Sequence, residues 1–190
     1  MKHVWYVAYG SNLSRKRFCC YIRGGRPDGS ARDLPGCRDT SDPLDSFGVL
    51  IGGGVYFAGH SSGWQAGMAF YDPRARSEVA ARAYLITSQQ FVDVIAQETR
   101  RAPGITLDLA PAFRGDRYSE GVGGYSILVR VGVRQGVPLV TFTGDRSTAP
   151  SLAAPSAAYL AAMATGLREA HGWSQMQINR YLSALHGTVA

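Results

Sequence analysis

The chain has 190 residues, 45% of them hydrophobic and 18% charged, which fits one well-cored domain spanning 1–190 and excludes a disordered chain. The formal net charge is +6, but the basic residues are scattered (Arg15, Lys16, Arg17, Arg23, Arg26, Arg32, Arg100, Arg101, Arg114, Arg117) with no run of five, so a solvated basic surface is favoured over nucleic-acid binding. No apolar run approaches the roughly 20 residues of a membrane helix.

Val4 to Ala8 reads as a buried strand, and the aromatic segment Met1 to Tyr9 does not resemble an export signal, which predicts a cytoplasmic protein. Gly10-Ser11-Asn12 breaks the strand, and Asn12 or Ser14 caps a helix over Arg15 to Tyr21. Gly24 to Ser46 is rich in Gly, Pro, Asp and Arg and reads as a long loop. Gly48 to Phe57 reads as one strand with a bulge, Gly59 to Gly63 as a turn, Trp64 to Tyr71 and Ala80 to Ile86 as further strands.

Thr87 and Ser88 are N-cap residues for a helix from Ser88 to Arg100, whose apolar face carries Phe91, Val94, Ile95 and Ala96. Two strands follow, Gly124 to Val133 and Pro138 to Thr143, with Arg134-Gln135-Gly136 as the hairpin turn. After a loop from Ser147 to Pro155, Ser156 to Ala170 forms a helix closing at Gly172, and Ser174 caps a last helix to His186. The mixture of strands and helices indicates an α+β domain with helices added to a curved sheet.

Three cysteines (Cys19, Cys20, Cys37) fit neither a paired disulfide framework nor a zinc spacing. His60, His171 and His186 have no ligand or triad spacing, and no P-loop or dinucleotide-binding pattern is present. Two features stand out. Tyr9-Gly10-Ser11-Asn12-Leu13 follows an apolar strand, either as an ordinary strand-to-helix connection or as a binding loop with backbone N–H groups turned on an anion. Glu98 lies in helical register with Phe91 and Val94; it is either a desolvated carboxylate suited to acid/base chemistry or an edge residue paired with Arg100 or Arg101.

The motif Tyr9 to Leu13 resembles the hallmark of the γ-glutamylcyclotransferase-like superfamily. Similar matches follow in order: Trp64 to Ala69, then Ala83 to Ile86 with Phe91, Val94, Gln97 and Glu98, then Ala149-Pro150-Ser151, Pro155-Ser156, Tyr159 and Gly166, and finally Tyr181-Leu182. The resemblance implies a mixed, curved or barrel-like β-sheet with surrounding helices. It implies Glu98 as the catalytic acid/base, with Tyr9, Gly10, Ser11, Asn12, Leu13 and Tyr125 as substrate-binding residues. The implied reaction cyclises a γ-glutamyl amide to 5-oxoproline and releases an amine or amino acid. It needs no metal or organic cofactor, and the only implied partner is the small substrate. Three departures from the family pattern are Thr99 in place of a glycine, no tyrosine near Val140, where Phe142 is the nearest aromatic, and a longer Gly24 to Ser46 segment. The leaving group is left open between amino acids, γ-glutamyl-protected metabolites and simple amines. A non-catalytic member binding a small anion or a partner is the alternative.

Overall fold

The computed structural model describes residues 2–115, 118–119, 124–145 and 150–186. Its centre is strand β1 (His3–Ala8), whose alternation splits the interior into two cores. Val4, Tyr6 and Ala8 face one cluster, while Trp5 and Val7, followed by Tyr9, face the other. Both faces are covered, which is why this strand reads as a continuous apolar run.

β1 pairs antiparallel with β5 (Glu78–Thr87) and parallel with β8 (Val137–Thr143). With β2 (Asp45–Gly52), β6 (Tyr118–Ser119) and β7 (Ile127–Arg134), these strands make a six-stranded mixed sheet in the order β2-β5-β1-β8-β7-β6. Strands β3 (Gly54–Ser61) and β4 (Ala66–Asp72) form a separate hairpin. It is fastened to the end of the main sheet by Thr143, whose hydroxyl accepts from Tyr71 N at 3.0 Å and donates to Tyr71 O at 2.7 Å.

The expected single strand from Gly48 to Phe57 is therefore two strands in different sheets. Gly53 separates them at φ 126°, a left-handed backbone that other residues adopt only with strain, and the Tyr71 ring occupies the place a Cβ would need. The strand expected from Trp64 starts instead at Ala66, because Trp64 and Gln65 (φ 54°) belong to the turn. The hairpin between β7 and β8 turns at Gln135 and Gly136, both with positive φ, as Arg134-Gln135-Gly136 predicts.

Among the described residues five helices cover the strands. Helices α1 (Arg15–Arg23), α2 (Ser88–Glu98) and α3 (Ala110–Arg114) contribute Phe18, Ile22, Phe91, Ile95 and Ala112 to the first core. Helices α4 (Ala157–His171) and α5 (Gln175–His186) contribute Met163, Leu167 and Ile178 to the second. Ser14, rather than Asn12, caps α1 by accepting from Arg17 N. Thr87 and Gln90 form a reciprocal capping box on α2, which fixes where that helix starts and so where Glu98 ends it.

Residues 24–44 are irregular but tied down. Arg38 grips the buried Asp93 of α2 through Nε and Nη2, and Gln90 Nε2 donates to the carbonyls of Asp39 and Ser41. No helix among the described residues is long and apolar enough to cross a membrane.

Candidate active site

A cavity of about 90 Å³ opens at the C-terminal end of β1. There the chain leaves the sheet, makes one 3-10 turn (Ser11–Leu13) and enters α1. The turn closes on itself: Leu13 N donates to Gly10 O at 3.0 Å and Ser14 N to Ser11 O at 3.3 Å. It is held from behind by Tyr84, whose hydroxyl donates to Asn12 O at 2.9 Å. Helix α4 presses on it so closely that a Cβ on Gly166 would fall 2.2 Å from the Leu13 carbonyl carbon.

Tyr9, Gly10, Ser11 and Asn12 line the cavity, and so do Glu98 and Tyr125. The structure thus brings together residues 86 positions apart: Asn12 Nδ2 donates to Glu98 Oε1 at 3.2 Å and to the Tyr6 hydroxyl at 3.2 Å. Leu13 lies elsewhere. Its fully buried side chain packs into the second core beside α4, and its carbonyl accepts from Tyr84 and Arg82. The Tyr9 hydroxyl donates to Phe142 O at 2.9 Å and that of Tyr125 to Ala69 O at 2.7 Å, so these two phenols present rings rather than free hydroxyls to the cavity. Phe142, the aromatic nearest the missing tyrosine, lines the cavity and stacks on Tyr6 at 5.2 Å, whereas Val140 lies in the core.

Among the described residues Glu98 is the only acid on the wall. Burial pushes its carboxyl up from the ordinary value, while the hydrogen bond from Tyr21, the charge of Arg17 and the hydrogen bond from Asn12 pull it down. A pairing with Arg100 or Arg101 is not what holds it. Arg101 Nε donates instead to the Thr99 hydroxyl, and Thr99 Oγ1 donates back to Ile95 O. Thr99 thus stays within the helix end, and the left-handed conformation falls on Arg100 (φ 61°).

Several wall residues were not singled out from the sequence as site residues. Arg17 and Tyr21 come from one face of α1, four residues apart, and Tyr6 shares the face of β1 that carries Val4 and Ala8. Arg17 stands 4.4 Å over the Trp64 ring, and its Nε donates to Ser11 Oγ at 2.8 Å. Tyr159 of α4 accepts from Ala69 N at 3.3 Å and is hydrogen-bonded by the backbone and side chain of Ser11. The long loop delivers Ser30, Arg32 and Leu34 to the rim. Pro150 and Ser151 of the expected closing loop are described, whereas Ser147 and Ala149 lie outside the described residues.

A solved structure described as "Gamma-glutamyl cyclotransferase" superposes on 96% of this chain and 87% of its own, with a TM-score of 0.59 at 15% identity. The chain has the γ-glutamylcyclotransferase fold. A second solved structure, of the human "uncharacterized protein loc79017", shares the fold over 95% of this chain and 86% of its own, with a TM-score of 0.56 at 15% identity. The α+β architecture of mixed sheet and surrounding helices is that of the γ-glutamylcyclotransferase fold. No family model matches the sequence. Among curated proteins, histone deacetylase 5 of Arabidopsis thaliana is 29% identical over 202 aligned positions, covering 94% of this chain and 30% of that protein. The chain therefore spans less than a third of that relative's length.

Proposed function

We propose that the cavity cyclises a γ-glutamyl amide to 5-oxoproline, with Glu98 moving the protons. The observation that carries this reading is the desolvated Glu98 carboxylate facing the Gly10 to Asn12 turn inside a γ-glutamylcyclotransferase fold. A γ-glutamyl amide holds its own nucleophile, the α-amine. Binding it curled, with the nitrogen against the γ-carbonyl carbon, supplies up to about 7–11 kcal/mol of the barrier through lost freedom already settled on binding. The rings of Tyr9, Phe142 and Tyr125 give the cavity fixed walls for that conformer.

Ionised Glu98 takes a proton from the α-ammonium. The freed amine attacks the γ-carbonyl carbon, and the bond to the leaving nitrogen breaks as Glu98 returns a proton to it. Glu98 then takes a second proton from the attacking nitrogen and passes it to the expelled amine; of the ammonium's three protons one remains on the lactam and two leave on the expelled ammonium, so Glu98 ends as it began. Such acid/base work contributes typically about 10²–10⁴-fold, and a carboxyl raised toward neutrality is matched to it. Asn12 and Tyr21, both hydrogen-bonded to Glu98, aim the carboxylate.

The test is a panel of γ-glutamyl amino acids, γ-glutamyl amines and γ-glutamyl-capped metabolites assayed for 5-oxoproline. Release from at least one class, in the cytoplasmic range of pH, supports the reading and names the leaving group. Release from none overturns it in favour of a non-catalytic binding protein built on the same 1–190 domain.

A further inference from the structure

Among the described residues the cavity wall is unevenly charged: Arg17, Arg32 and Arg100 stand against the one carboxylate of Glu98. Elsewhere among the described residues five basic side chains are paired with acids. Lys16 pairs with Asp28, Arg23 with Asp42, Arg26 with Asp33, Arg38 with Asp93 and Arg82 with Glu169. Among the described residues Arg17 and Arg32 form no ion pair. Arg17 is also held in place, its guanidinium carbon over the Trp64 ring and its Nε on Ser11 Oγ. Its Nη1 is buried with no hydrogen-bond partner among the described residues. A desolvated, immobilised guanidinium nitrogen left unpaired is costly, and a planar fork of this kind matches a carboxylate through two parallel hydrogen bonds.

Part of the turn's backbone is already engaged. The N–H groups of Leu13 and Ser14 are used inside the 3-10 turn, and that of Ser11 bonds the Tyr159 hydroxyl. We propose that Arg17 is the carboxylate anchor of this cavity, receiving a carboxylate of the ligand on the Nη1–Nη2 edge of its guanidinium while Trp64 and Ser11 hold that edge in place, with Arg32 as a second cation at the rim. The identity of the ligand rests on the proposed cyclisation; the anchor itself does not. Two carboxylates of a γ-glutamyl substrate are eligible, the glutamyl α-carboxylate and one on the leaving amine.

Two measurements on the whole protein separate these. The first compares 5-oxoproline release from γ-glutamyl-alanine and from γ-glutamyl-ethylamine, which lacks the second carboxylate. The wild type, Arg17→Gln and Arg17→Lys are assayed, each variant being checked for native circular dichroism. Loss of a charge-assisted pair lowers kcat/KM roughly 10- to 100-fold in Arg17→Gln. An equal loss on both substrates assigns the anchor to the glutamyl α-carboxylate; a loss confined to γ-glutamyl-alanine assigns it to the leaving amino acid. No loss on either substrate overturns the proposal. Arg17→Lys keeps the charge but not the fork, and is expected between the other two.

The second measurement is calorimetric titration with glutarate, a diacid that cannot react. Wild-type binding that weakens with added salt and is lost in Arg17→Gln supports the anchor even if no substrate turns over. Equal glutarate affinity in wild type and Arg17→Gln overturns it, whatever the activity.

Discussion

Asn12 Nδ2 lies 3.2 Å from Glu98 Oε1 and at the same distance from the Tyr6 hydroxyl, so one amide joins the turn after β1 to the last residue of α2. The hydrogen bond stabilises the ionised carboxylate against the burial that raises its pKa.

Asn12→Ala removes that support. The Glu98 carboxyl then rises further, and more of it is protonated at any given acidic pH. The acid limb of kcat/KM against pH, which reports the free enzyme's base, is expected to move to higher pH. A limb that stays in place or moves to lower pH contradicts the assignment of Asn12. Tyr21→Phe removes another hydrogen bond to the same carboxylate and is expected to shift the limb in the same direction.

Burial of Glu98 is also a stability statement. A carboxyl whose folded pKa is raised binds more protons folded than unfolded, so stability falls as pH rises from the unfolded carboxyl value through the folded one. Glu98→Gln removes this penalty. Its melting temperature is expected to exceed the wild-type value at pH 7–8, with the difference shrinking below about pH 4, where the wild-type carboxyl is neutral in both states. A variant less stable than wild type at neutral pH contradicts the raised carboxyl.

Gly166 lets α4 touch the turn that carries Ser11 and Asn12. A methyl there meets the Leu13 carbonyl carbon and the Ser14 nitrogen, both backbone, so helix and turn must separate. Gly166→Ala is expected to cost about 1–3 kcal/mol in urea unfolding, as overpacking does, and to lower turnover by displacing Asn12 from Glu98. Unchanged turnover in a destabilised variant contradicts the link between that contact and the site.

Asp93 is fully buried in α2. It accepts from Arg38 N, Nε and Nη2 and from Gly104 N, so it joins residues 38 and 104 to the helix that ends in Glu98. Asp93→Asn keeps the shape but cannot accept all four. A loss of about 3 kcal/mol is expected, toward the low end for broken buried pairs because Arg38 is half-exposed and can reach water. Equilibrium unfolding at neutral pH measures it, and a loss below about 0.5 kcal/mol contradicts a structural role.

Much of the frame is legible in the sequence because it rests on local patterns. The alternation of β1, the capping residue Thr87, and the Phe91, Val94, Ile95 stripe each have a local cause that the fold keeps. The division of residues 48–57 is not legible, since Gly53 sits inside an apolar run and only the Tyr71 ring beyond it reveals the break. Helix α3 is five residues long, too short for a periodic signal. At the site, Glu98 betrays itself by its register with Phe91 and Val94. Arg17 does not, because a charged residue on a short helix looks like surface until Trp64, delivered by a distant turn, closes over it.

The central claim is that Glu98 moves the protons of a cyclisation. It is tested most directly by the rate of 5-oxoproline release from the best γ-glutamyl substrate by wild type and Glu98→Gln, at equal folded concentration. Gln keeps the acceptor for Asn12 and the volume of Glu98 but carries no exchangeable acid. The account predicts a fall in kcat of about 10²–10⁴-fold or more. Release at the wild-type rate contradicts it.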